Sequence, residues 1–365
     1  MIPFVDLKRG HEKIKEEINE AIERVVYNQS SFILGKEGEF FEREFAGFCG
    51  KNYAVGVNSG TDALELALIA SGVKKGDEVI LPSNTAIPTA MAISSIGAVP
   101  VFADINEDFL INPSDLEKKI TEKTRAIIPV HLYGLACDMQ KINDIAKGNN
   151  LSVIEDCCQA HGAEYRGKRV PISEIGCFSF YPSKNLGALG DGGMVVTSRK
   201  DISNKLKLLR NYGQRDKYHA SILGRNSRLD EIQAAILGVK LKYLDEWNSK
   251  RRENALIYDS ELSNVVKIPE GHDNRKHVYH LYVIRTENRD GLMKHLRENE
   301  IGHLIHYPKP LHLQEAFSYL GYKEGDFPNA ERYSKEIISL PMFPELTREE
   351  IIQVSKKIKE FTEMS

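Results

Sequence analysis

Cysteine is scarce in this 365-residue chain, tryptophan occurs once, and no long apolar run is present. The five cysteines, Cys49, Cys137, Cys157, Cys158 and Cys177, are odd in number and include no C-x-x-C pair. That pattern argues against a disulfide framework or a zinc site. It reads instead as inert thiols, with a reducing cytoplasm as the expected location. No segment approaches the roughly 18–20 apolar residues that span a bilayer, so no membrane association is expected. The opening residues, Met1 to Asp6, lack the basic and apolar regions of a signal peptide. A net charge of −3 leaves no basic footprint, which weighs against nucleic acid as a partner.

What is present is an ordinary globular balance, 41% hydrophobic and 28% charged, in a chain long enough for a large domain and a smaller companion. Short apolar runs at 53–57, 78–81, 99–103, 126–130 and 152–155 read as strands buried on both faces. Helical patterns at 61–71, 85–97, 114–121 and 138–148 alternate with them, the third opening on a capping box, Ser114 to Glu117. This alternation predicts an α/β fold with a mostly parallel sheet flanked by helices. Two further runs, 176–180 and 193–197, flank a glycine-rich turn that holds Lys184. An amphipathic helix is expected at 10–27. After about residue 241 the texture changes to a charged helix (242–252), a strand (280–285) and helices at 291–299 and 347–361. The expected organisation is therefore a large domain over 1–240 and a small α+β domain over 241–365.

Three segments carry chemistry. In Ser179-Phe180-Tyr181-Pro182-Ser183-Lys184-Asn185-Leu186-Gly187, a lysine sits between a strand end and glycines that allow close backbone approach. Desolvation lowers a lysine pKa and suits it to Schiff-base chemistry, although a solvated loop lysine would also fit this stretch. Asp156 lies just past a predicted strand end, the edge where open α/β sheets bind ligands. A carboxylate there can hold a pyridine nitrogen protonated, as pyridoxal phosphate chemistry requires. Alternation turns Glu155 to the opposite face, and Gln159 could reach a phenolic oxygen. A helix N-cap is the plain alternative for the acidic pair. In Asn58-Ser59-Gly60-Thr61-Asp62, a small-residue turn opens a helix whose free N–H groups and dipole suit a phosphate, with hydroxyls from Ser59 and Thr61.

With these segments in that order, the chain resembles the DegT/DnrJ/EryC1/StrS family of sugar aminotransferases. The resemblance runs from Pro3-Phe4-Val5-Asp6-Leu7 to Ser339-Leu340-Pro341-Met342-Phe343-Pro344. It includes residues 76–80, Val130-His131-Leu132-Tyr133-Gly134, the Asp156/Gln159 segment, the Lys184 loop and residues 226–235. It implies the type I (aspartate aminotransferase) fold and pyridoxal 5′-phosphate as cofactor. Lys184 would carry the cofactor and shuttle protons, Asp156 would pair with the pyridinium, and Gln159 would sit near its phenolic oxygen. Gly60, Thr61 and Ser179 would bind phosphate, and Asn226 would reach the phosphate of a neighbouring subunit in a homodimer with shared sites. Members often place an aromatic over the cofactor ring where this chain has Ala86.

His306-Tyr307-Pro308 resembles the segment of members that aminate C3 of a keto sugar nucleotide, and Tyr181, His306 and Tyr307 are the expected substrate residues. A turn stiffened by Pro308 and Pro310 is the structural alternative. The cations Lys205, Lys207, Arg210, Arg215 and Lys217 could offset a diphosphate, or simply form a solvated face. The expected reaction moves an amino group from glutamate to C3 of a dTDP-linked 3-keto-6-deoxyhexose, in a route to deoxyamino sugars of lipopolysaccharide or another glycan. A UDP-linked or other keto sugar is the near alternative. A sugar dehydratase is disfavoured because such relatives replace the lysine with histidine, and a non-catalytic regulator because Lys184, Asp156 and Gln159 are all in place.

Overall fold

The computed structural model describes Met1–Met364 and is built on a seven-stranded sheet. Its strands are β1 (Tyr53–Val57), β2 (Glu78–Pro82), β3 (Val99–Ala103), β4 (Thr124–Ile127), β5 (Ser152–Asp156), β6 (Ile175–Ser179) and β7 (Gly193–Thr197). They lie in the order β1-β7-β6-β5-β4-β2-β3. β7 is antiparallel to both neighbours, and every other pairing is parallel. Val55, Val57, Ile80, Leu81, Ile154 and Val195 are fully buried, as expected of strands covered on both faces. This is the mostly parallel, helix-flanked sheet of the type I fold.

Register aligns the functional edge. Val57 and Ser179 both stand opposite Gly193, and Asp156 stands opposite Cys177, two residues before Ser179. The carboxyl ends of β1, β5 and β6 and the start of β7 therefore share one rim of the sheet.

A second core gathers Ile2 with Tyr258 of helix Leu244–Leu262, Tyr282 and Ile338 of an antiparallel hairpin (Tyr282–Arg285 with Ile337–Leu340), and Val354 of helix Arg348–Met364. Within the same C-terminal region, Leu311, Phe317, Phe327 and Tyr333 pack instead into the core of the large sheet. The segment 311–333 is thus packed onto the large sheet, while His306 before it bonds Ser339 of the small hairpin.

Several local readings shift. The helix beginning near residue 114 is capped by Asn112, which accepts from Ser114 N at 3.0 Å, with Pro113 in the first turn. Asn is as good a cap as Ser, and Pro113 supplies a preset φ where no N–H is needed, so the predicted box at 114–117 does not form. The N-terminal helix breaks at Ile14 (φ −121°, ψ 23°) into Leu7–Lys13 and Lys15–Glu23. Helix Lys36–Phe48, absent from the sequence reading, buries Phe41 and Phe45. Buried Glu231 anchors its start by accepting from the N–H groups of Gly35, Glu37 and Gly38.

Candidate active site

The three chemical segments converge at the sheet rim so closely that two positions exclude any side chain. A Cβ on Gly60 would lie 2.6 Å from Ser179 Cβ and 2.9 Å from Cys158 Sγ, and one on Gly193 would lie 2.2 Å from the Ser59 carbonyl oxygen. Ser59 caps helix Gly60–Ala70, its Oγ accepting from Asp62 N and its carbonyl from Ala63 N. The first-turn donors left over are the N–H groups of Gly60 and Thr61, beside Ser179. The Ser59 Oγ thus accepts as a cap, and its O–H proton is left to donate.

On β5 the adjacent acids have opposite surroundings. Glu155 is fully buried and accepts from His131 Nε2 (2.8 Å), Ile172 N (2.9 Å) and Ser173 N. His131 Nδ1 accepts from Cys137 N at 3.0 Å, which fixes the proton on Nε2. Cys157 lies close enough that the three residues resemble a metal-ligand set, but both imidazole nitrogens are already engaged in this network. Burial acts to raise the Glu155 pKa, yet the His131 and backbone bonds outweigh it and hold the carboxyl below its ordinary value. Asp156, on the other face, accepts from Thr89 Oγ1 at 2.9 Å and from Cys158 N at 3.1 Å. Lys184 is in its surroundings, and among the described residues Asp156 makes no ion pair within 4 Å.

Lys184 sits in a loop held on several sides. Its own N–H donates to Tyr181 O (2.9 Å), Ala188 N donates to Phe180 O, and Lys240 Nζ donates to Gly187 O at 2.7 Å. Asn185 Nδ2 ties the turn to Asn248 Oδ1 and Val278 O. Burial pushes the Lys184 ammonium below its ordinary pKa, opposed by Cys158 and Asp156. The neutral amine, the form that attacks carbonyls, is thus more favoured here than in an exposed lysine.

Gln159 connects this rim to the C-terminal segment. Its Oε1 accepts from Tyr133 N at 2.8 Å, which fixes the amide orientation, and its Nε2 donates to Tyr307 Oη at 3.1 Å, leaving one N–H for a ligand. The Tyr133 hydroxyl donates to His306 O, and His306 Nδ1 lies 2.8 Å from Ser339 Oγ. Burial pushes the Tyr307 hydroxyl up to about 12, so it stays protonated, and burial with Lys184 pushes His306 down to about 4, so it stays neutral. Both are hydrogen-bonding groups of the kind that read hydroxyls.

A model of the DegT/DnrJ/EryC1/StrS aminotransferase family matches residues 12–359. The chain belongs to that family. It is 47% identical over 365 residues to dTDP-3-amino-3,6-dideoxy-alpha-D-galactopyranose transaminase of Aneurinibacillus thermoaerophilus, covering 99% of each chain. It is 44% identical to UDP-N-acetyl-3-dehydro-alpha-D-glucosamine 3-aminotransferase of Acidithiobacillus ferrooxidans, covering 98% of this chain and 97% of that one. Its fold superposes on the crystal structure of S. venezuelae DesV in complex with a ketimine intermediate, with a TM-score of 0.97 at 44% identity, covering 99% and 98% of the two chains. This aminotransferase uses pyridoxal phosphate, and the rim fits it. The glycine-lined cradle at Gly60 and Gly193 with its two free N–H donors suits the phosphate, and the buried Asp156 carboxylate and depressed Lys184 suit the ring and its aldehyde.

Two other expected residues adjoin the phosphate-binding segments: Tyr181 N donates to Ser179 Oγ at 3.3 Å, and Asn226 is next in sequence to Ser227, which bonds to Asn58 and Asp62. Tyr181 is 55% exposed, and Asn226 is exposed on the surface. Asn226 follows a bridge to Asn211 and precedes Ser227, whose Oγ donates to Asp62 Oδ2 (2.6 Å) and accepts from Asn58 N. Lys205 and Arg210 face inward: Lys205 Nζ caps the carbonyls of Ile69 and Ala70, and Arg210 pairs with Glu42 and Gly56 O. They are not free to offset a diphosphate. Ala86 caps helix Ile87–Ser95 and is only partly buried. Thr89 and Tyr133 were not singled out from sequence. Tyr133 lies in the family motif at 130–134, but nothing local foretold that its two polar groups would bracket Gln159 and His306.

Proposed function

We propose that this aminotransferase moves an amino group from glutamate to C3 of a keto sugar nucleotide, with a dTDP-linked 3-keto-6-deoxyhexose as the leading acceptor and a UDP-linked 3-keto sugar as the second. The observation that carries the reading is the junction of Gln159 with Tyr307 and of Tyr133 with His306. It sets a protonated phenol and a neutral imidazole beside Lys184 and Asp156. The activities of the relatives at 47% and 44% identity, one dTDP-linked and one UDP-linked, support the acceptor class and leave both nucleotides in play.

In this reading Gly60 N, Thr61 N and the Ser179 hydroxyl bind the cofactor phosphate, and Asp156 keeps the pyridine nitrogen protonated. Gln159 orients the ring through its remaining N–H. Lys184 Nζ holds the cofactor when no substrate is bound and moves a proton to and from the reacting carbon. Bound pyridoxal phosphate supplies the electron sink for that carbon. His306, Tyr307 and Tyr181 orient the sugar. Incubation with glutamate and a panel of dTDP- and UDP-linked 3-keto and 4-keto sugars, with amine product measured by mass spectrometry, tests the assignment. A 3-amino product from a 3-keto acceptor is expected, and amination of 4-keto acceptors alone would overturn it.

We further propose a homodimer in which Asn226 serves the partner's phosphate, a role supported by its exposed position. Lys184→Ala chains mixed with chains carrying Asn226→Asp should regain about a quarter of wild-type activity per site under random C₂ exchange, since mixed dimers hold one intact site. No recovery after demonstrated exchange would place Asn226 in its own chain's site.

A further inference from the structure

The phosphate cradle at the sheet rim is built from neutral donors. They are the N–H groups of Gly60 and Thr61 and the hydroxyls of Ser59 and Ser179. The first charged side chain of the helix, Asp62, is an acid that accepts from Ser227. Among the described residues no lysine or arginine side chain bonds to any of the four donor residues. A phosphate monoester carries about −1.5 to −2 charge units at neutral pH, and a helix N-terminus offsets only about half a unit of it.

Two segments, 210–213 and 225–228, run side by side next to this cradle. They are joined by Tyr212 N to Arg225 O (2.8 Å), by Ser227 N to Arg210 O (2.9 Å) and by the bridge of Asn211 with Asn226. Ser227 Oγ fastens them to Asp62 and Asn58, and Arg225 Nε fastens them to Glu65 at 2.8 Å. The three arginines of this ladder differ in their partners. Arg210 pairs with Glu42 and Arg225 with Glu65, whereas Arg228 forms no ion pair among the described residues. Arg228 Nη1 donates to Asn211 Oδ1 at 3.0 Å, Nη2 lies 3.4 Å from Tyr212 Oη, and the guanidinium stands over the Tyr212 ring, 5.1 Å from its centroid. A neutral acceptor and an aromatic face keep the fork ordered while leaving its charge and its other N–H groups for an anion.

Burial alternates along the segment. Ser227 and Leu229 are buried, Arg228 is half-buried, and Asn226 and Asp230 are exposed. Ser227 bonds the chain's own helix, and Leu229 lies so close to β1 that a Cβ on Gly56 would stand 2.9 Å from its Cβ. Asn226 and Arg228 therefore turn outward together, away from their own cradle.

We propose that Arg228 supplies the missing positive charge to the cofactor phosphate of the partner subunit, entering that cradle beside Asn226. The inference rests on the shared-site homodimer reading above. Equilibrium dialysis of the holoenzyme against falling pyridoxal phosphate, with the absorbance of the lysine-bound cofactor followed, tests it. Arg228→Gln, which keeps a donor for Asn211, should weaken pyridoxal phosphate at least about tenfold, the scale of one lost charge-assisted contact. Pyridoxal, which has the aldehyde but no phosphate, should bind both proteins alike, and Arg228→Lys should recover part of the loss. Arg228→Gln chains exchanged with Lys184→Ala chains should regain tight lysine-bound cofactor in about a quarter of all sites, since each mixed dimer holds one site with both residues. Wild-type cofactor affinity in Arg228→Gln, an equal loss for pyridoxal, or no tight sites after demonstrated exchange would each overturn the proposal. So would a loss confined to glutamate, which would assign Arg228 to the amino donor. Recovery in the Asn226 mixing experiment without recovery here would remove this inference alone, whereas failure of both would remove the shared-site reading.

Discussion

The two faces of β5 carry acids one residue apart with opposite fates. On one face, Glu155 is saturated by three donors and locked to a histidine whose tautomer is fixed by Cys137. On the other, Asp156 takes one hydroxyl and one amide and looks toward a lysine with a depressed pKa. Both carboxylates are buried, so burial does not mark the functional one. What separates them is the remaining demand. A fully satisfied acid is structural, and an acid at a ligand-binding rim with a nearby unpaired amine has capacity left for chemistry.

The strongest way to break this contrast is Asp156→Asn. It keeps shape but removes the charge proposed to hold the pyridine nitrogen protonated, and turnover should fall at least about 10²-fold, near 2.7 kcal/mol of barrier. Steady-state rates at saturating cofactor measure it. Activity close to wild type would move the role to another acid.

Glu155→Gln should leave chemistry largely intact and act on stability. An amide cannot accept from all three donors, and one N–H would face another. Denaturant melts should therefore show a loss of about 1–3 kcal/mol near neutral pH. Because the folded carboxyl titrates below its ordinary range, its contribution is present above the unfolded pKa and is lost as pH falls through the folded one. The gap between variant and wild type should accordingly shrink in acid. A constant gap down to acid pH would mean that packing rather than charge is responsible.

Thr89 sharpens the comparison more gently. Its hydroxyl bonds Asp156 and lies 3.5 Å from the Thr85 hydroxyl, so it is a positioning residue. Thr89→Val should lower kcat by about tenfold, in line with one hydrogen bond to a charged group. It should also shift the pH titration of the bound cofactor's absorbance, and Thr89→Ser should restore both. An unchanged titration in Thr89→Val would reduce the residue to packing.

The smallest effect is expected at Ala86. If it leaves one face of the cofactor ring uncovered, Ala86→Tyr should tighten cofactor binding by up to about 1 kcal/mol, measured by equilibrium dialysis. Weaker binding would show that the space is already filled.

Much of the rim could be read from the chain alone. Short β-branched runs fix strands, alternation separates Glu155 from Asp156, and a Ser-Gly-Thr turn opening a helix presents donors, all within a few residues. Cap placement was less legible, because Asn112-Pro113 outcompetes the Ser114 box by geometry that composition does not display. What only the tertiary structure decided is the company these residues keep. Tyr133 and Gln159 meet Tyr307 and His306 across more than 140 positions of sequence, as the separations of 148 and 173 residues show. Lys240 and Arg251 reach the back of the Lys184 loop from helices Glu231–Leu241 and Leu244–Leu262, where nothing in the sequence sets them apart from neighbouring surface cations. Local pattern sets which way a side chain faces along its own element, whereas the burial and partners that shift a pKa or leave a cation unpaired arise only when distant elements pack together.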